Sequence, residues 1–261
     1  MTGWWEKQIL RAEQLAAQAN GSGELLRFYA RLLRVQQEIY ETLRSLKSWL
    51  PSGEVERDLR EVREILLPLI KTVAEHGPEP LADEAKDLLD LDREEFDEKL
   101  LTYWHSPTDI EFFGKACLQP YLRWLAETGV RPAGRETSNE RSCPFCGGNP
   151  QVSFLNATEP NAESGNRYLI CATCLSSWKF RRVACVNCGE ERPEKLAYFH
   201  SPEFDHVRIE ACESCKHYLK GVDLTRFGLA APIVDEVGAA PLDLWARDHG
   251  FTKIELNLVG V

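Results

Sequence analysis

The chain lacks any apolar run long enough to cross a bilayer. Its longest, such as residues 65–70, fall far short of the roughly 20 residues a helical span needs. The opening residues, Met1-Thr-Gly-Trp-Trp-Glu-Lys7, show no positive start followed by an apolar stretch, so no signal peptide is expected and a reducing cytoplasm is the natural compartment. Cations are in the minority: 31 Lys and Arg face 41 Asp and Glu, a net charge of −10. Binding to nucleic acid requires clustered cations that displace counterions from phosphates, and an anionic membrane surface requires the same. The balance weighs against both. Catalytic signatures are missing too. No nucleophile elbow, phosphate loop or His-Glu-x-x-His motif occurs, so the chain does not read as an enzyme. The six histidines are scattered, and only His217 lies close to a cysteine pair.

What is present is sulfur in pairs. Eight of the nine cysteines form four Cys-x-x-Cys motifs: Cys143/Cys146, Cys171/Cys174, Cys185/Cys188 and Cys212/Cys215. The leading pairs are offset by 42 positions (143 to 185, 146 to 188) and the closing pairs by 41 (171 to 212, 174 to 215). One unit of knuckle, loop and knuckle is therefore used twice. A thiolate pair at this spacing grips a metal from a tight turn, and two such turns complete a tetrahedral sulfur site. Pairing each leading knuckle with the next closing one gives two four-cysteine centres. Gly147 and Gly189 each follow a leading pair, where a positive φ turns backbone amides toward sulfur. Arg167 and Arg208 precede the closing pairs by four residues, and Lys179 and Lys220 follow them by five. Three chemistries compete: a closed structural ion, thiol–disulfide exchange, and an iron–sulfur cluster. Exchange motifs usually occur once, at a helix start in a βαβ unit, and two mononuclear sites already use every pair. Zinc and iron both accept four thiolates, and spacing does not choose between them. Cys117, the ninth, sits four residues after Phe113 on an apolar helix face and reads as an inert buried thiol.

The pattern of apolar residues divides the chain. Residues 1–130 read as a helical domain. Leu25, Phe28, Leu32, Val35, Ile39, Leu43, Leu46 and Leu50 form one stripe on a long helix stopped at Pro51-Ser-Gly53. A second helix carries Val55, Leu59, Val62, Ile65, Leu66 and Leu69, with Pro68 bending or ending it. Asp92 and Glu95 spell a capping box before Phe96, Leu100 and Tyr103. Ser106-Pro107 then predicts another helix start, with Asp109 three past the cap and Gly129 as the stop. The acidic stretch 83–99 alternates with leucines and reads as a solvated helix face. Trp4 and Trp5 either dock on the bundle or stay exposed. Residues 131–142 are a polar linker. Residues 143–183 and 184–222 form the two ribbons, with strands expected at 151–155, 167–170, 178–183, 196–199 and 207–209. Residues 223–261 form a helical tail. The fold class is α+β: an N-terminal helical bundle followed by two rubredoxin-like or zinc-ribbon-like four-cysteine domains.

The C-terminal half resembles the formate dehydrogenase accessory protein family, FdhE. The resemblance rests on Cys143-Pro-Phe-Cys-Gly-Gly-Asn-Pro150, Gly165-Asn-Arg-Tyr-Leu-Ile-Cys-Ala-Thr-Cys174, Trp178, Arg182-Val-Ala-Cys-Val-Asn-Cys188, Lys195-Leu-Ala-Tyr198 and Glu210-Ala-Cys-Glu-Ser-Cys-Lys-His-Tyr-Leu-Lys220. Asp235-Glu236, Leu242-Asp243 and Gly250-Phe251 extend it. The last residues keep Asn257 and depart from the family's proline- and phenylalanine-rich ending. The resemblance implies two mononuclear iron sites and a cytoplasmic, non-catalytic factor. Its partner would be the catalytic subunit of a molybdenum-dependent formate dehydrogenase, met before the enzyme is assembled.

Candidate partner-binding residues flank the closing knuckles: Arg167 and Tyr168 before the first, Lys179, Arg181 and Arg182 after it, Tyr218 and Lys220 after the second. Each has a plainer reading. The cluster Lys179-Phe-Arg-Arg182 also fits a solvated strand face, Tyr218 also fits packing beside the metal, and Trp178 fits the ribbon core. Two other functions stay open on the residues alone: a zinc-ribbon protein binding nucleic acid, against the charge, and a rubredoxin-like redox partner.

Overall fold

The computed structural model describes residues 3–18, 23–107, 111–135, 137, 139–156 and 165–260. Six helices come first: α1 (Trp4–Gln18), α2 (Gly23–Ser45), α3 (Val55–His76), α4 (Glu79–Asp90), α5 (Arg93–His105) and α6 (Phe112–Thr128). Then come six strands, β1 (Pro150–Asn156), β2 (Asn166–Cys171), β3 (Ser177–Lys179), β4 (Leu196–His200), β5 (Val207–Cys212) and β6 (His217–Asp223). Helices α7 (Pro232–Gly238) and α8 (Ala240–Asp248) and the short β7 (Thr252–Lys253) close the chain. Among the described residues no helix is long and apolar enough to cross a membrane.

The α2 stripe is buried from Phe28 to Leu43, as its three- and four-residue steps require. The helix stops at Ser45, five residues before the expected end. Trp49 leaves the helical path to stack on Trp124 of α6, with ring centroids 5.7 Å apart, and Leu50 is left 85% exposed. The buried carboxylate of Asp58 then holds the turn: it accepts from the Ser52 and Gly53 amides and from the Tyr121 hydroxyl. Helix α3 runs through Pro68 to His76. Asp92 opens α5 with both halves of the capping box present, so Asp92→Ala is expected to lower stability by about 1 kcal/mol in a denaturant melt. Ser106 does not start the next helix. Its amide donates to Thr102 O and ends α5, while Asp109 and Ile110 lie outside the described residues. Helix α6 begins at Phe112 and stops at Gly129, whose φ is 78°.

The strands form one sheet in the order β3-β2-β1-β6-β5-β4. Each sequence unit contributes three antiparallel strands, β1–β3 and β4–β6. The units join side by side through a parallel pairing of β1 with β6, from Val152 opposite Lys220 to Leu155 opposite Asp223. The repeat in the sequence thus becomes a tandem repeat in the sheet, a continuity that two separate ribbons did not anticipate. The strand expected over 178–183 is short, because the chain turns after Lys179. The tail is not wholly helical. Helix α7 packs on β1, β6 and α1, α8 lies against β5, and β7 pairs in parallel with the start of β6. Trp5 lies in the core, and Trp4 sits under the Arg123 guanidinium, 3.7 Å from its ring centroid.

Candidate metal centres

Each knuckle is a tight turn held by its own backbone. The Gly147 amide donates to Cys143 O, Leu175 to Cys171 O, Gly189 to Cys185 O and Lys216 to Cys212 O. All four residues that follow a second cysteine have positive φ: 72° at Gly147, 58° at Leu175, 80° at Gly189 and 58° at Lys216. The glycines were legible as turn residues. Leu175 and Lys216 were not, since a side chain in the left-handed region is uncommon and no spacing rule marks it. The structure holds them there to complete the same turn.

The turns bring the sulfurs into two groups: Cys143, Cys146, Cys171 and Cys174, and Cys185, Cys188, Cys212 and Cys215. Within each group all sulfurs lie within 4.8 Å of one another. In the first, Cys143 faces Cys174 and Cys146 faces Cys171, each at 3.5 Å. In the second, Cys185 faces Cys215 and Cys188 faces Cys212, each at 3.7 Å. These separations are far beyond a sulfur–sulfur bond of about 2.05 Å. A regular tetrahedron with sulfurs about 2.3 Å from its centre has edges of about 3.8 Å. The donor set and its geometry therefore fit one four-coordinate ion per group, and each group can hold a metal.

The environments of the groups differ. In the first, all four cysteines are buried, none more than 1% exposed. Burial pushes the Cys171 thiol up, while hydrogen bonds from Cys146, Cys171 and Cys174 hold Cys143 far below the ordinary thiol range. In the second, Cys188 is exposed and Cys215 half-buried. Burial opposes ionisation of Cys215, but hydrogen bonds from the Asn187 side chain, the His217 backbone and neighbouring sulfurs outweigh it and bring the thiol to about 7. His217 is not a fifth donor: its Nδ1 lies 2.7 Å from Cys215 O. Cys117 is buried apart from both groups, and burial alone pushes its thiol up.

The helical layer meets the first group directly. Gln119 of α6 donates to Ala172 O at 2.7 Å and accepts from Gln36 of α2 at 2.9 Å. The Tyr103 hydroxyl of α5 lies 3.1 Å from Thr173 Oγ1, and Arg123 donates to Leu175 O at 3.2 Å. Sequence reasoning missed this clamp, because its members are single polar residues among the many that amphipathic helices carry, and no spacing marks them out.

The residues read as partner-binding separate by burial. Arg167 is enclosed at the junction of the two units, donating to Ala184 O and pairing with Glu210 at 2.5 Å. The Glu210 side chain is itself enclosed, 6% exposed. Desolvation would raise its carboxyl, but Arg167 and Arg208 outweigh this and hold it below the usual range. Gly221 leaves room for that carboxylate, since a Cβ there would stand 2.5 Å from Glu210 Oε1. Tyr218 is buried with its hydroxyl donating to Asp243, and Lys220 is wholly buried against Asp243 and Glu236. Arg167, Tyr218 and Lys220 thus present no surface to a docking protein. Tyr168 is half-buried and stacked on Phe154. Lys179, Arg181 and Arg182 are exposed. Arg181 pairs with Glu140 and Glu191, and Arg182 donates to Gly165 O.

Comparison with known proteins agrees with this architecture. The model of the FdhE central domain matches residues 142–182, and that of the FdhE C-terminal domain matches residues 183–259. A protein FdhE homolog of Aquifex aeolicus is 31% identical over 92% of this chain and 89% of its own length. The chain belongs to the FdhE family. An FdhE homolog of Pseudomonas putida is 26% identical, over 98% of this chain and 86% of its own. The crystal structure of the FdhE protein from Pseudomonas aeruginosa has the same fold, with a TM-score of 0.72 at 24% identity, covering 98% of this chain and 95% of that one. The helical layer is therefore as much part of the FdhE fold as the cysteine-bearing sheet.

Proposed function

We propose that this protein is a cytoplasmic, non-catalytic assembly factor that binds the catalytic subunit of a molybdenum-dependent formate dehydrogenase. Two four-cysteine metal ions organise the sheet that receives the client. The observation that carries this reading is the tandem of sulfur tetrahedra in one sheet, on a chain of the FdhE family. Such sites are typical of folding scaffolds: four protein ligands leave an ion no open position for substrate. All eight paired cysteines serve as ligands in this reading. Lys179, Arg181 and Arg182, exposed beside the first ribbon, are the flanking residues that a client can touch.

The ion is iron by family resemblance, and zinc fits the same four thiolates. Elemental analysis and an optical spectrum of protein purified without oxygen separate the two, since ferric thiolate absorbs visible light and zinc thiolate does not. The client is tested by affinity capture from cells producing both this chain and a molybdenum formate dehydrogenase. Recovery of the catalytic subunit is expected. Its absence from the eluate, with both proteins present in the lysate, would rule the reading out.

A further inference from the structure

The two centres share their ligands and turns, yet they stand in opposite environments. The first is shut in on every side. Its four sulfurs are buried, and its closing knuckle is tied to the helical layer at Ala172, Thr173 and Leu175 by Gln119, Tyr103 and Arg123. Asn149, beside its leading knuckle, bonds Glu255 at 3.3 Å, and Glu255 is in turn paired with Lys115 of α6. To release an ion from this site, the interface between helices and sheet must open.

The second centre is covered only in part: Cys185 and Cys212 are buried, and the helical layer does not close over the rest. Among the described residues, no hydrogen bond from α1–α6 reaches its knuckles. Its knuckles are held from within the sheet domain and its flanks: Arg141 donates to Asn187 O, Ser214 and Arg192 donate to Glu190, the Glu213 amide donates to Lys195 O, and the Thr252 amide of β7 donates to Lys216 O. Cys188 is exposed, and Cys215 beside it is half-buried. One corner of the sulfur tetrahedron therefore faces solvent.

We propose that the two centres play different parts. The first is a fixed clamp between layers, and the second is open to ligand exchange at Cys188, where a thiol from outside can take a place on the ion. In that step an incoming thiol would take the position that Cys188 would hold on the ion, and Cys188 would give it up. The proton of the incoming thiol passes through solvent to the Cys188 sulfur. One thiolate would replace another, and no oxidation or reduction would be involved. The inference rests on both groups holding an ion and not on which client is bound.

Full-length protein loaded with zinc tests it, using the chromogenic chelator pyridylazoresorcinol with reduced glutathione as the external thiol. The metal content of the starting material tests the underlying reading separately, because fewer than two ions per chain would contradict the pair of centres themselves. With two ions present, release is expected in two steps of one ion each. The first step should be about tenfold faster or more, as exposed elements open at far lower cost than buried ones. Glutathione accelerates the first step alone. Iodoacetamide added after that step, with mass spectrometry, should label Cys185, Cys188, Cys212 and Cys215 and spare Cys143, Cys146, Cys171 and Cys174. Cys188→Ser should abolish the fast step and retain the slow one. Release of both ions at one rate, labelling of the first group ahead of the second, or indifference to glutathione would each overturn the proposal on the wild-type chain alone.

Discussion

Replacing Cys171 by serine is expected to remove the first ion and, with it, cooperative unfolding of the sheet. Cys171 ends β2, pairs with Pro150 of β1 and places its sulfur 3.5 Å from Cys146, with no exposure to solvent. A structural zinc site of this type contributes an apparent ~10–16 kcal/mol near neutral pH. That matches or exceeds the roughly 5–15 kcal/mol by which a whole domain is stable. Loss of one of four thiolates in a sealed site therefore cannot be absorbed by the apolar contacts that remain. The damage should spread, because Ala172, Thr173 and Leu175 of the same knuckle carry the hydrogen bonds to α5 and α6. A circular dichroism melt paired with metal analysis checks the expectation: one ion per chain and no sharp transition for the sheet. Cys188→Ser removes a ligand from the exposed corner of the other centre, and its melt should stay closer to wild type. A Cys171→Ser protein that melts like wild type would show that the first ion is ornamental to the fold.

The sequence revealed the centres because metal ligation constrains residue type and spacing at once. Pairs of cysteines with two residues between them, repeated at a fixed offset, have few other uses, and Gly147 and Gly189 mark the backbone turn each leading knuckle needs. The capping box at Asp92 was legible because its hydrogen bonds are local. Most of what escaped depends on distant partners, although the first case is local. Ser106 resembles a helix cap, but the chain spends its amide on ending α5. Leu50 fits the apolar stripe by spacing, but the chain leaves the helix before it and Trp49 stacks on Trp124. The largest omission is β6, which lies at the middle of the sheet between β1 and β5. Its residues His217-Tyr-Leu-Lys-Gly-Val-Asp223 include a lysine and a glycine, which read as the end of a ribbon and not as a buried strand. Gly221 is required by the Glu210 carboxylate across the sheet. Lys220 is tolerated only because α7 and α8, from the far end of the chain, supply its counter-charges. No local pattern announces a partner 16 or 23 residues away.

Lys220→Met is accordingly expected to act on stability, by about 3–5 kcal/mol. The ammonium group is wholly buried. It donates to Glu236 O and to the carboxylate of Asp243, and it lies 3.4 Å from Glu236 Oε1. Burial lowers its proton affinity, and the two carboxylates only partly offset this. Replacing the entire ionic cluster by apolar groups can be nearly neutral, because the desolvation of every charge is avoided together. Removing only the lysine is different. Two buried carboxylates would then share Lys253, which contacts both Glu236 and Asp243, and the Tyr218 hydroxyl would be left on an under-neutralised Asp243. The consequence falls on the packing of α7 and α8 over the central strand, and so on the sheet that carries both metal groups. Urea unfolding of Lys220→Met beside the exposed Lys179→Ala gives a direct contrast. The first midpoint should drop sharply, while the second should stay within about 0.5 kcal/mol of wild type, as surface substitutions usually do. If Lys220→Met instead kept full stability and lost only client capture, the buried lysine would have to reach the surface in the bound state. The ionic lock between β6, α7 and α8 would then have to open for the client to dock.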